Sequence, residues 1–176
     1  MADDPAPEEA ALIAVQATLA GRPGVLATAR AMSHFGEHSA GWVSVSMLGV
    51  VLQPGRRRDW LAVGVGAFLA HAAAVAIKRV VKRKRPHHPG ITVNVGTPSK
   101  LSFPSAHATS TTAAAILLAQ VTGSRLPWLL IPTMALSRLV LGVHYPTDVL
   151  TGVAVGAVVA RSVAGLNGAA LKETDL

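Results

Sequence analysis

Leu61–Ile77 reads LAVGVGAFLAHAAAVAI, an apolar run broken only by His71. With its flanks it reaches the roughly 20 residues that a membrane-spanning helix needs. Arg56, Arg57 and Arg58 precede it as a basic stop, and a polar stretch begins at Lys78. Working outward, Gly36–Gln53 is apolar and short, and it spans if slightly extended. Ala10–Met32 is interrupted by Gly21-Arg22-Pro23. That break predicts two short helices at the interface or against the bundle, since proline and glycine interrupt a helix. On the C-terminal side, 78–100 carries Pro86, Pro89, Gly90, Gly96 and Pro98, too many breakers for one helix, and reads as a loop. Further helices are predicted from Ser105 to about Val121, from Leu126 to Leu141 and from Pro146 to about Leu166. Pro132 should kink the second of these, which a bundle tolerates. Gly152 and Gly156 form a GxxxG pair suited to close helix packing.

The composition agrees with a bilayer. Of 176 residues, 51% are apolar, 14% are charged, and the mean hydropathy is +0.44. A soluble domain carries nearly twice that charge. The net charge of +7 would suggest nucleic acid in a soluble chain. Here the cations sit in short clusters between apolar runs, so nucleic acid is not expected, and lipid or a phosphate-bearing substrate is. Cysteine is absent, which excludes thiolate chemistry and disulfides. The expected architecture is an all-α integral-membrane bundle of about five spanning helices plus N-terminal interfacial helices. One domain, 10–168, is expected between a disordered N-terminus (1–9) and a C-terminal tail (169–176). The alternation puts loops 78–104 and 142–146 on one side of the membrane and 54–58 and 123–125 on the other.

Three polar clusters fall on that first side: Lys78 with Arg85-Pro86; Pro104-Ser105-Ala106-His107; and Ser137-Arg138, His144 and Asp148. Their chemistry suits phosphoryl transfer. Lys78, Arg85 and Arg138 supply donors for phosphate oxygens. Ser105 opens a helix whose free N–H groups attract an anion. Two histidines can divide nucleophile and acid roles. Asp148, four residues after His144, can accept the Nδ1 proton and leave Nε2 to attack.

KRVVKRKRP, PSAH and SRLVLGVHYPTD together resemble the signature of the type 2 phosphatidic acid phosphatase family, KxxxxxxRP, PSxH and SRxxxxxHxxxD. The fixed positions agree in the right order. Ala106 stands where the family often has glycine. The resemblance implies that His144 attacks phosphorus to form a phosphohistidine and that His107 protonates the leaving group. It implies that Lys78, Arg85, Ser105 and Arg138 hold the phosphate and that Asp148 orients His144. It implies no metal and no cofactor. The expected partners are a membrane lipid-phosphate substrate and the bilayer, with room left for a homo-oligomer. The short, Ala-rich chain further resembles small actinobacterial members, some associated with dephosphorylation of decaprenylphosphoryl 5-phosphoribose. Such a substrate would need space for a pentose, lined by His87, His88 and the 90–100 loop. Polyprenyl diphosphates, phosphatidic acid and phosphatidylglycerophosphate are the other substrate candidates.

Other readings compete. A vanadate-dependent haloperoxidase shares this phosphate site but is soluble and larger. A phosphotransferase and a non-catalytic anionic-lipid-binding protein are the remaining alternatives. His71, mid-helix and outside every motif, reads as a buried, hydrogen-bonded structural histidine. His34, Glu37 and His38 resemble a metal set by composition only. Arg79, Lys82, Arg83 and Lys84 read as headgroup contacts. Basic residues are richer on the motif side, which by the positive-inside rule puts the site at the cytoplasmic face of a bacterial membrane.

Overall fold

The computed structural model describes residues 4–174. Seven helices follow in order: α1 (Pro7–Leu19), α2 (Val25–Phe35), α3 (Ala40–Leu52), α4 (Arg57–Val81), α5 (Ala106–Thr122), α6 (Leu130–Val140) and α7 (Pro146–Thr174). Short 3-10 turns at Glu37–Ser39, Pro54–Arg56 and Leu126–Leu129 lead into α3, α4 and α6. Among the described residues there is no strand, only an isolated bridge between Lys84 and Leu101.

α5 is the hub, packed against α3, α4, α6 and α7. Its composition explains how. Alanine, serine and threonine dominate it, and Ala108–Leu118 is buried without interruption. Small side chains let neighbouring backbones approach closely, which is how helices associate where water exclusion is weak. Gly152 and Gly156 of α7 lie against this helix, and a Cβ on Gly156 would fall 2.3 Å from the Thr109 carbonyl oxygen. The GxxxG face therefore meets α5. Trp42 and Trp60 belong to the apolar core with Val63, Ala67 and Leu117. Trp42 Nε1 donates to Thr111 Oγ1 at 3.2 Å, so its polar edge is satisfied.

The outer faces are apolar. Leu48, Val51, Phe68, Leu150, Val158 and Leu166 are all exposed. A soluble monomer rarely shows such a band. Pro54–Val81 and Pro146–Asn167 are each long and apolar enough to cross a membrane, with mean hydropathies of 2.0 and 1.8.

Several boundaries differ from expectation. Pro7–Glu9, placed in the disordered N-terminus, form the first turn of α1, because Glu8 is tied to Thr147 and Arg83. Lys78 lies inside α4 rather than in a loop. Cations are favourable in a last helical turn, and the helix stops at Lys82, which takes φ +55°. Gly36–Gln53 is not one helix, since His38 and Ser39 adopt positive φ and break it before Ala40. Pro132 sits in the first turn of α6, where its missing N–H costs nothing, so it causes no mid-helix kink. α7 continues to Thr174 where a tail from 169 was expected; residues 175 and 176 lie outside the described residues.

Candidate active site

A cavity of about 420 Å³ opens between the ends of α2, α4, α5 and α6 and the loops 82–105 and 141–145. Lys78, Arg85, His107, Arg138 and His144 all line it. Each reaches it for a local reason. Lys78 is in the last turn of α4, and its Nζ donates to Ser102 O at 2.7 Å. Arg85 follows the end of α4 and is braced by Ser99 O at 2.9 Å and Val143 O at 2.6 Å. Ser105 caps α5, with the Ala108 N–H 3.4 Å from its Oγ, and this places His107 in the first turn. Arg138 is near the end of α6 and 2% exposed. His144 stands in the turn between α6 and α7 and is 3% exposed.

Tautomers follow from the partners. Arginine can only donate, so Arg85 Nη1, 3.2 Å from His144 Nε2, meets a lone pair there. The proton of neutral His144 is then on Nδ1, which stands 3.5 Å from Asp148 Oδ2 and makes no hydrogen bond. Burial pushes His144 well below the ordinary histidine range, and the cations of Arg85, Lys78 and Arg138 push it the same way. A neutral imidazole with a free Nε2 lone pair is the form that can attack. Burial also lowers Arg85 to about 10, against the pull of Asp148. His107 Nε2 lies 2.8 Å from Ser33 O. A carbonyl only accepts, so Nε2 carries a proton, and Nδ1 is the nitrogen left for proton exchange. Arg138 uses Nη1 on Ser33 Oγ at 3.1 Å, while its Nη2 is buried without a partner. Buried donors without acceptors are costly, and a bound anion would satisfy this one.

Not every expected residue reaches the cavity. Ser105 is fully buried, and its hydroxyl serves the α5 cap instead of the cavity wall. Asp148 is also fully buried and sits behind His144. His87 and His88 do not line the cavity, although Val95–Ser99 do; His88 Nδ1 is taken by the Gly90 N–H. His71 does line it, and its buried Nδ1 has no hydrogen bond, contrary to the expected satisfied histidine. His34, Glu37 and His38 line the same cavity.

A family model described as the PAP2 superfamily matches residues 59–170, which carry all three clusters. The chain belongs to the PAP2 superfamily. It is 74% identical over 152 residues to decaprenylphosphoryl-5-phosphoribose phosphatase of Mycolicibacterium smegmatis, covering 86% of this chain and 84% of that protein. It is 60% identical over 164 residues to the protein of the same name from Mycobacterium tuberculosis, covering 93% of both. Among solved structures, the PAP2 type phosphatidylglycerolphosphate phosphatase from Bacillus subtilis aligns with a TM-score of 0.70 at 20% identity. That alignment covers 90% of this chain and 85% of that one. LpxE of Aquifex aeolicus aligns with a TM-score of 0.69 at 17% identity, covering 92% and 97%. At such identities the likeness is one of fold.

The PAP2 motifs leave two contributors unannounced. Ser33, on α2 and outside the matched segment, touches both His107 and Arg138. Arg83, inside the first motif at an unspecified position, holds Asp148 rather than facing lipid. Ser33 acts partly through a backbone carbonyl, which no residue pattern encodes. The only signal for Arg83 is its place at an unspecified position within the first motif.

Proposed function

We propose that this PAP2 protein hydrolyses a phosphate ester on a polyprenyl lipid, decaprenylphosphoryl-5-phosphoribose being the substrate favoured by its similar mycobacterial relatives. One observation carries the chemistry. The lone pair of buried, neutral His144 opens onto a cavity that Lys78, Arg85 and Arg138 also line. A phosphate there would take over Arg85 Nη1 and fill the vacant Arg138 Nη2, placing phosphorus in front of Nε2. His107 Nδ1 first takes a proton from the incoming phosphate monoester. His144 Nε2 then forms the bond to phosphorus as the ester P–O bond breaks, and His107 passes that Nδ1 proton to the leaving oxygen. Asp148 supports the Nδ1–H of the phosphohistidine. Water then attacks phosphorus, His107 takes its proton, and inorganic phosphate leaves. Ser105 contributes by holding the start of α5.

Five crossings are proposed, α3 to α7, in a bacterial cell membrane with α1 and α2 against the site end. The site is proposed at the cytoplasmic face. Arg30, Arg79, Lys82, Lys84 and Lys100 are exposed at that end, with Lys78, Arg83, Arg85 and Arg138 beside them, against Arg56, Arg57, Arg58, Arg125 and Arg161 towards the other.

The test is phosphate release by purified protein in detergent with EDTA, from a panel of polyprenyl and glycerolipid phosphates, beside His144→Ala. Wild type should release phosphate, and the variant should lose about 10³-fold or more in kcat. Faster turnover of a plain polyprenyl diphosphate than of the pentose phosphate would overturn the substrate assignment. Undiminished release by the variant would overturn the mechanism.

A further inference from the structure

Arg83 follows the end of α4, and its guanidinium is spent inside the protein. Nη1 donates to Asp148 Oδ1 at 3.0 Å and to Thr147 Oγ1 at 2.7 Å. Nη2 donates to Glu8 Oε2 at 2.5 Å. Its Cζ lies 4.0 Å over the Tyr145 ring. Its own carbonyl accepts from Ser102 N at 2.8 Å, and Ser102 in turn receives Lys78. Glu8 completes the frame: its Oε1 accepts from Thr147 N at 3.1 Å and from Thr147 Oγ1 at 2.7 Å. One arginine and one glutamate thus grip the turn that follows His144.

We infer that Arg83 is a positioning residue for His144, acting through Asp148, and that Glu8 of α1 locks it in place. The inference rests on the proposed function. Asp148 has two oxygens and two duties. Oδ1 is held by Arg83, and Oδ2 accepts the Tyr145 N–H at 2.8 Å while facing His144 Nδ1. Asp148 receives one bond from Arg83, Nη1 to Oδ1, while Nη2 goes to Glu8, so the planar guanidinium bridges the two carboxylates at fixed angles in a way that a point charge does not. A histidine that must attack along one line depends on what holds its second nitrogen. Burial raises the carboxyl of Glu8, but the bonds from Thr147 and Arg83 outweigh it and hold Glu8 below the usual range, so the lock is charged at neutral pH. Glu8 lies outside the matched family segment, and Arg83 falls at an unspecified motif position, so the motif by itself does not specify the brace.

The brace also tunes charge. The groups bearing on His144 are Lys78 from α4, Arg85 from the loop, His107 from α5, Arg138 from α6 and Asp148 from α7. The cations of Arg85, Lys78 and Arg138 disfavour the imidazolium, and the Asp148 carboxylate, 3.5 Å from Nδ1, favours it. Arg83 offsets part of the Asp148 charge. Without Arg83 the imidazolium gains stability, and the acid limb of kcat/KM moves to higher pH.

The experiment compares wild type with Arg83→Gln, Arg83→Lys and Glu8→Gln, using a polyprenyl phosphate substrate in detergent across pH, with thermal midpoints recorded. Arg83→Gln should lower kcat by about 10- to 100-fold with KM changed by less than about 3-fold, because the phosphate cations are untouched. Its acid limb should move up from a wild-type position below the ordinary histidine value. Arg83→Lys should keep the limb and recover only part of kcat. Glu8→Gln should show the same kcat-over-KM pattern at about 3- to 10-fold. Unchanged kcat in Arg83→Gln, or a loss that tracks only the folded fraction with an unmoved limb, overturns the inference. If that variant does not fold, Glu8→Gln decides on the same terms. No release by wild type overturns the proposed function and this inference together; release by wild type with unaltered variants overturns this inference alone.

Discussion

Ser33 makes two contacts that no motif announces. Its carbonyl fixes the His107 tautomer, and its hydroxyl holds Arg138 Nη1. Gly36, one turn on, leaves room for the ring: a Cβ there would come within 2.7 Å of His107 Cδ2. The hydroxyl and carbonyl roles can be separated. Ser33→Ala keeps the carbonyl and loses the bond to a buried cation, so it should raise KM by about 5- to 20-fold while kcat falls less. Ser33→Thr should restore KM, and steady-state kinetics on the two variants check this. At this scale the sequence was legible where chemistry demands a residue type. Lys78, Arg85, His107, Arg138 and His144 converge as their chemistry requires. It was not legible where a residue acts through tertiary contact, as Ser33 and Arg83 do, or where a backbone duty claims the side chain, as the α5 cap claims Ser105.

Among the helices, α5 inverts the usual sign of a buried element. It is rich in hydroxyls, yet Thr109, Ser110, Thr111 and Thr112 are all buried. Thr109 Oγ1 donates to Ser105 O at 2.8 Å and Ser110 Oγ to His107 O at 3.4 Å, Thr111 Oγ1 accepts from Trp42 Nε1 of α3, and of the four only Thr112 Oγ1 has no partner. Small side chains in turn let α7 approach. Gly156→Ala should therefore destabilise the bundle by about 1–3 kcal/mol, since the new methyl meets backbone rather than a flexible side chain. Gly165→Ala on the same helix, with nothing within 4 Å of its Cβ, should be neutral or stabilising through helix propensity. Thermal unfolding in detergent compares the two directly. The GxxxG spacing made this face readable in advance. The ends of α4 and α2 were harder to read. Charge at Lys78–Arg79 looks like a loop but suits a helix C-terminus, and the break at His38-Ser39 lies in backbone angles that no breaker residue marks.

Over the whole molecule, the two ends are chemically distinct. At one end Arg56 reaches the Val121 carbonyl and Asn167 donates to Asp59 at 3.0 Å, tying α4, α5 and α7 together far from the cavity. At the other end lie the cavity, the 82–105 loop and the N-terminal helices. A phosphate site at headgroup depth requires the apolar band of α3, α4 and α7 to lie in lipid between these ends. An odd number of crossings then separates the site from the α3–α4 turn. The chain has no cysteine, so single introduced thiols report sidedness without background. Gly55→Cys marks the α3–α4 turn and His87→Cys the site end; both positions are exposed. With an impermeant maleimide on intact cells, Gly55→Cys should react, and His87→Cys should react only after lysis. The reverse pattern would keep five crossings and move the site to the outer face, where its substrate would have to be presented from outside. Reaction of both from one side would remove the five-crossing topology itself, because the bundle would then lie with both ends on one side of the bilayer.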